Sequence, residues 1–392
     1  MTGVQTCALP ICQILASAAV ALCAAALAPA ASLAAAVRTR WRLGGSEGFD
    51  ALCFLGPLSG KPFYARFYEQ ELAAFKPRLS QPATDALMSL HAEADKAGAL
   101  LGPGLCTILS GGPTASLDDL IASTRAAETV LLPPYKGGAY WDEADWTRFT
   151  AGRERLLTVF EALKAADFAG FRHGLVDAAL ARRAPALQAR LAGADVAAEQ
   201  ERLLGRRIDP QVEVVLLWFS KPHGVRVQGG RFLCHVDYPD DAIIRIAGHE
   251  GMHPPFDMKG PAAQAAYLVL EKDALLTRII AEHDHAFGYN TLEGLLNEDT
   301  VQALDQIVGE HLGVAKPPAE RWARSDDGMH VLAAGLYGLL KADGYDRTGG
   351  NIADWIRAAA KGGRLGPASL HAAAARVLGL PADQLWPRPR PA

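Results

Sequence analysis

The sequence predicts a mainly α fold (α+β) in which a small antiparallel sheet is followed by helices, with a further helical region on its N-terminal side. Three observations carry that reading. Segments rich in Ala, Leu and Arg with helical spacing run from residue 38 to about 205, β-branched and aromatic residues gather between 212 and 236, and helical periodicity resumes at 240. Aromatic residues make up 7% of the chain while alanine is abundant, a balance that favours helix over sheet. The 392 residues, half of them hydrophobic, suffice for one large domain or two modest ones. Lysine and arginine (39) nearly balance aspartate and glutamate (43), for a net charge of -4 with no run of like charge, so no nucleic-acid face is expected.

Residues 1–36 are expected to be a leader. Met1–Cys12 (MTGVQTCALPIC) resembles a translated sequencing adapter, and from Ile14 to Ala36 the chain is almost purely Ala, Leu and Val, with no charge before Arg38. That is the pattern of a secretory signal peptide, with small-residue cleavage options near Ala28-Pro29-Ala30 and Leu33-Ala34-Ala35-Ala36. A membrane anchor of this length is the competing reading; the alanine richness and the A-x-A ending favour cleavage. On that reading no stable span remains and the protein is periplasmic or secreted. Cys53, Cys106 and Cys234 then remain, allowing at most one internal disulfide, with Cys53–Cys106 one option and three small buried hydrophobes the other.

Residues 37–205 form the predicted helical N-terminal region, a scaffold or a wall for substrate. Helices are expected at 63–75, ended by Pro77, at 118–132, closed by Pro133-Pro134, and at 146–165, 168–181 and 185–204, with Pro185 at the first position of the last. Region 206–392 opens with a strand at 212–219, a turn at Lys221-Pro222-His223-Gly224, and strands at 225–227 and 232–236 around the hairpin signal Gly229-Gly230. Helices are then expected at about 240–253, 262–284, 291–312, 319–342, 350–360 and 367–378, with a proline-rich stop after Trp386.

The chemistry concentrates in His249-Glu250-Gly251-Met252-His253. On a helix capped by Asp240-Asp241, His249 and His253 stand four residues apart and project from one face, so both imidazoles reach a single ion. Glu250 beside them reaches a water at that ion rather than the ion itself. This is the H-E-x-x-H arrangement of two Zn2+ ligands and a general base. Gly248 and Gly251 each cost such a helix up to ~1 kcal/mol, a cost explained by close packing or by a ligand. A catalytic zinc needs a third protein ligand, and no Gly-x-x-His continuation follows His253. Glu271 and Glu298, each flanked by apolar residues in a later predicted helix, are the candidates. Pro254 directly after His253 ends the helix there.

These motifs resemble the gluzincin class of metallopeptidases, and more narrowly a group of secreted bacterial gluzincin-like proteins. In that group the motif helix is followed, across a helical spacer, by an aromatic turn and then [Asp/Asn]-Glu-x-x-Val-x-Ala. The matching residues are Gly288-Tyr289 and Asn297-Glu298-Asp299-Thr300-Val301-Gln302-Ala303, within a resemblance that spans Val212 to about Gly313. It implies a zincin-like catalytic core over 206–392, with Glu298 rather than Glu271 as third ligand. It departs at position 302, Gln where the pattern has Asp, so another group must orient the histidines; Asp299 and Asp305 are available.

The expected activity is zinc-dependent hydrolysis, with a peptide or protein as substrate, Glu250 as general base and one further donor at the oxyanion. Tyr289, His330 and Tyr337 are the candidates for that donor. The strand at 232–236 is a candidate edge for an extended peptide, with His235 on it. Glu282-His283-Asp284-His285 is ligand-rich, but adjacent helical residues diverge, and it reads as a solvated helix end. The alternative function is a non-catalytic exported zinc- or peptide-binding protein; retention of Glu250 favours the hydrolase.

Overall fold

The computed structural model describes residues 37–387, apart from 139–140, 223 and 288 and the side chains of 63, 286 and 324. The expected leader at 1–36, residue 223 of the expected turn, residue 288 of the aromatic turn and the tail beyond 387 lie outside the described residues. The rest is mainly helical with one small sheet. No described helix is long and apolar enough to cross a membrane.

The sheet has four strands: β1 (Arg40–Gly44), β2 (Gln211–Leu217), β3 (Val225–Val227) and β4 (Arg231–His235), in the order β1-β2-β4-β3. Here the structure corrects the sequence reading. Only β3–β4 is antiparallel; β1–β2 and β2–β4 are parallel. The hairpin at Gln228-Gly229-Gly230 forms as expected, with both glycines at positive φ. The segment after β2, however, carries the chain past the neighbouring position, so β3 takes the outside and β4 returns beside β2. The edge on this side is therefore β3, not the 232–236 strand. The fourth strand, β1, went unanticipated because Arg40-Trp41-Arg42-Leu43 is too short to stand out beside an alanine-rich leader.

β2 explains why the sheet is central. It is buried on both faces, as the middle strand of a parallel pairing must be. Val215 and Leu217 face a core shared with the N-terminal helices, including Phe54, Leu105 and Phe168. Val214 and Leu216 face a second core with Val176, Leu187, Ile243, Ile244 and Ala247. Strands on either side of residue 205 thus share one sheet. A third core, built from the later helices, contains Met252, Leu295, Leu304, Trp322 and Leu370.

Several helix boundaries moved. The 168–181 and 185–204 segments became one helix, Phe168–Leu191, running through Pro185, followed by Val196–Leu204. Burial of Val176, Leu187 and Leu191 along the same side outweighs the hydrogen bond lost at the proline. The 262–284 segment split at Asp273, whose carboxylate caps the second piece. The 319–342 segment split around Asp326 and Asp327, both at positive φ, leaving His330 just before the helix Val331–Ala342.

Buried Asp50 ties the N-terminal helices to the sheet. It accepts hydrogen bonds from Trp218 N at 2.7 Å and Phe219 N at 3.0 Å, and pairs with buried Arg172 at 2.6 Å. Cys53 and Cys106 are free thiols whose sulfurs lie 4.0 Å apart; Cys234 is buried elsewhere.

Candidate metal centre

Two helices build the site. The motif helix, Asp240–Glu250, lays Ile243, Ile244 and Ala247 on the sheet and turns His249 and Glu250 away from it. Asp240 and Asp241 lie in its first turn, after Pro239, where their charge still suits the positive helix end. The helix stops at Glu250, so His253 sits in the turn that follows. The ligand helix, Leu292–His311, is capped by Thr291 and is buried almost all round. It carries a row of buried polar groups, Glu298, Asp299, Gln302 and Asp305, through an otherwise apolar core. Such a row survives burial only where each group finds a partner.

Those partners are ordered. One ring nitrogen of each motif histidine is held: His249 Nδ1 by Asp305 Oδ2 at 2.7 Å, and His253 Nδ1 by Asn297 Oδ1 at 3.2 Å. Both Nε2 atoms then face the same point. They lie 3.0 Å apart, and the Glu298 oxygens lie 3.6 Å from His249 Nε2 and 3.4 Å from His253 Nε2. Among the described residues this is the group of three or more potential ligands that converges, its ligand atoms all within 4.8 Å of one another. Zinc–ligand bonds of about 2.0–2.1 Å in tetrahedral geometry require ligand atoms ~3.3 Å apart. The observed spacings bracket that value, and two imidazoles with one carboxylate are a donor set zinc favours. The residues fit the ion.

The ligand carboxylate is also held from behind. Gln302 Nε2 donates to Glu298 Oε1 at 2.8 Å, while Gln302 Oε1 accepts from Trp322 Nε1 at 2.8 Å. Asp305 in turn is gripped by both terminal nitrogens of Arg321. Burial alone would raise the Glu298 carboxyl, but His249 and His253 outweigh it and hold it well below the usual carboxylate range. Burial likewise opposes charge on His249, yet Glu298 and Asp305 push that imidazole up to about 9. Burial pushes the Glu250 carboxyl up, against the pull of the two histidines.

A cleft of about 630 Å³ opens onto this cluster, lined by His249, Glu250, His253, Tyr289, Asn297 and Glu298. Leu100 and Pro103 from the N-terminal region and Val225 and Arg226 from β3 complete its walls. Tyr289 sits at φ 60, a strained conformation for a non-glycine residue, and its phenol hydrogen-bonds Glu298. Burial and the neighbouring carboxylates raise that phenol, so it stays a neutral O–H donor.

The other sequence candidates fall elsewhere. His330 is fully buried behind Tyr289, whose ring it meets edge-on at 5.8 Å. Its Nδ1 contacts Asp299 at 2.6 Å and its Nε2 contacts Asp326 at 2.8 Å, so both nitrogens are engaged by carboxylates. Burial opposes its charge, but Asp299 and Asp326 raise it to about 10. Glu271 is exposed at a helix end, away from the cluster. Tyr337 packs on Trp322 and bonds Glu310. His235 is buried between Trp218 and Tyr238, not in the cleft. Of the ligand-rich tetrad, His283 turns inward and bonds Ile279 O.

Asp305 was foreseen as an orienting group; Asn297, Gln302, Arg226 and Arg321 were not. Asn297 had a signal, since it immediately precedes the ligand glutamate on its helix. The two arginines had none, because they act across long sequence separations. No protein-family model, curated protein or solved structure matches the chain.

Proposed function

We propose that the protein is a zinc-dependent hydrolase of the gluzincin type, a peptidase acting in the periplasm or outside the cell. The observation that carries the reading is the convergence of His249 Nε2, His253 Nε2 and a Glu298 oxygen at zinc-compatible spacing beside Glu250, at the floor of an open cleft. His249, His253 and Glu298 would hold the zinc, which would supply a Lewis acid able to activate water near neutral pH.

The chain's own residues supply the rest. Asp305 and Asn297 each hold one ring nitrogen of a histidine and so fix which nitrogen it presents to the cluster. Glu250, raised by burial, takes a proton from the attacking water and passes it to the leaving amine. Tyr289 keeps a neutral O–H beside the cluster, which donates to the oxygen on which charge develops once it leaves Glu298. β3, the edge strand beside the cleft, offers backbone groups to an extended peptide. His330 acts from behind, holding the Tyr289 ring and the 299–326 contacts, and does not line the cleft.

Purified protein should take up about one zinc per chain. Glu250→Gln should keep the metal and lose hydrolysis of a peptide library, while Glu298→Ala should lose the metal and Glu271→Ala should not. Wild-type protein that resists zinc loading overturns the reading. Zinc binding without hydrolysis of any peptide leaves the binding-protein alternative standing instead.

A further inference from the structure

The motif helix ends one turn too early. Its last residue is Glu250, and the carbonyl of Glu250 would next receive the N–H of residue 254, which is a proline and has none. Residue 255 is also proline. The backbone that carries His253 therefore lacks the helical hydrogen bond that would fix the second histidine of an H-E-x-x-H motif. A loosely held ligand weakens a metal site, because the ion pulls a mobile side chain into place at an entropic cost.

Arg226 occupies the gap. It lies on β3, where it pairs with Phe232 of β4. Its Nη1 donates to Glu250 O and to His253 O, the latter at 2.8 Å, bracketing the turn from both ends. Two other side chains finish the helix end: Gln200 Nε2 donates to Ala247 O and Gly248 O at 2.9 and 3.0 Å, and Arg206 Nη2 donates to Pro254 O at 2.9 Å. Gly251 is part of the same arrangement, since a Cβ there would lie 2.3 Å from the Gln200 amide. Of these groups Arg226 alone grips the carbonyl of the metal ligand itself. It is also anchored in a strand, and hydrogen bonds from a charged donor are the stronger kind.

We propose that Arg226 is a positioning residue for the metal centre: its guanidinium, delivered by the edge strand, replaces the helical hydrogen bond that Pro254 removes and holds His253 in ligating position. The proposal rests on the zinc-site reading above. It also links the strand beside the cleft directly to a metal ligand.

The test is zinc affinity, measured by competition with a chromophoric chelator, on wild type, Arg226→Met and Arg226→Lys, with thermal unfolding of the zinc-free proteins in parallel. Arg226→Met should bind zinc at least tenfold more weakly. Arg226→Lys, which keeps one charged donor, should recover part of the loss. The cobalt-loaded forms should show an altered visible ligand-field spectrum in Arg226→Met. A purely structural role predicts instead a lower zinc-free melting temperature in Arg226→Met with zinc affinity and spectrum unchanged, and that result overturns the proposal. If Arg226→Met does not fold, Arg226→Lys and Arg226→Gln carry the comparison. Wild-type protein that binds no zinc would defeat the underlying reading rather than this one.

Discussion

Removing Asp305 should weaken zinc binding and destabilise the fold by separable routes. Its carboxylate, 5% exposed, accepts from His249 Nδ1 and receives both terminal nitrogens of Arg321, whose side chain is 17% exposed. Asp305→Ala therefore does two things. It frees His249 to rotate and change tautomer, which at comparable metal sites costs 10–100-fold in affinity, or about 1.4–2.7 kcal/mol. It also strands a buried guanidinium, at a cost of about 3 kcal/mol, the low end for a broken buried pair because Gln306 still accepts from Arg321. The double variant Asp305→Leu with Arg321→Met separates the two, since replacing a whole buried pair by apolar groups is close to neutral. Urea unfolding of the zinc-free proteins should show a deep loss in the single variant and substantial recovery in the double. Chelator competition should show zinc weakened equally in both. Recovery of zinc affinity in the double variant would refute the idea that Asp305 acts on His249 by orientation, and would point to charge balance alone.

Two further outcomes concern the fold. Asp50→Ala should cost about 3–5 kcal/mol, read as a fall in the urea midpoint, because it strands Arg172 and two backbone N–H groups in a fully buried place. His235 should make the protein acid-sensitive: burial, reinforced by Lys221, lowers its imidazole to about 4. A group depressed below its unfolded value contributes stability that is complete above about pH 6.5 and is lost as pH falls toward 4, here up to about 3 kcal/mol. Unfolding at pH 7 and pH 4.5 should show a smaller acid loss in His235→Phe than in wild type, and equal losses would rule that group out as the source.

Much of the site was legible because its chemistry is local. Four-residue spacing singled out His249 and His253, a motif on one later helix singled out Glu298, and the structure brings the three side chains together. The orienting partners were only partly legible: Asp305 lies two turns beyond Glu298 on the same face of its helix, whereas Asn297, one residue before Glu298, points about 100° away from that face. Arg226 and Arg321 were illegible, since nothing near an arginine in sequence records which distant carbonyl or carboxylate it will meet. The mainly helical character came through, though not the number of helices (those at Glu47–Leu58, Gln81–Lys96 and Leu101–Leu109 were not expected), for the same reason that the sheet topology did not. Periodicity reports a segment's own burial, whereas strand order depends on partners far along the chain, and β1 offered only five residues to judge by.

β1 has a consequence for how the chain reaches its native form. Arg40 pairs with Gln211 and Gly44 with Val215, and among the described residues β1 has no other strand partner. This strand must therefore wait, without its partner, while all the described helices of the N-terminal region are synthesised, before the template that completes it exists. Ordering by local contacts comes first and this closure is late, the expected sequence when a contact spans a long loop. A fragment beginning near residue 206 would keep His249, His253 and Glu298 yet expose β2 as a raw edge, open to pairing with other chains. The candidate site is thus not a portable module; it depends on a strand made before any of its residues.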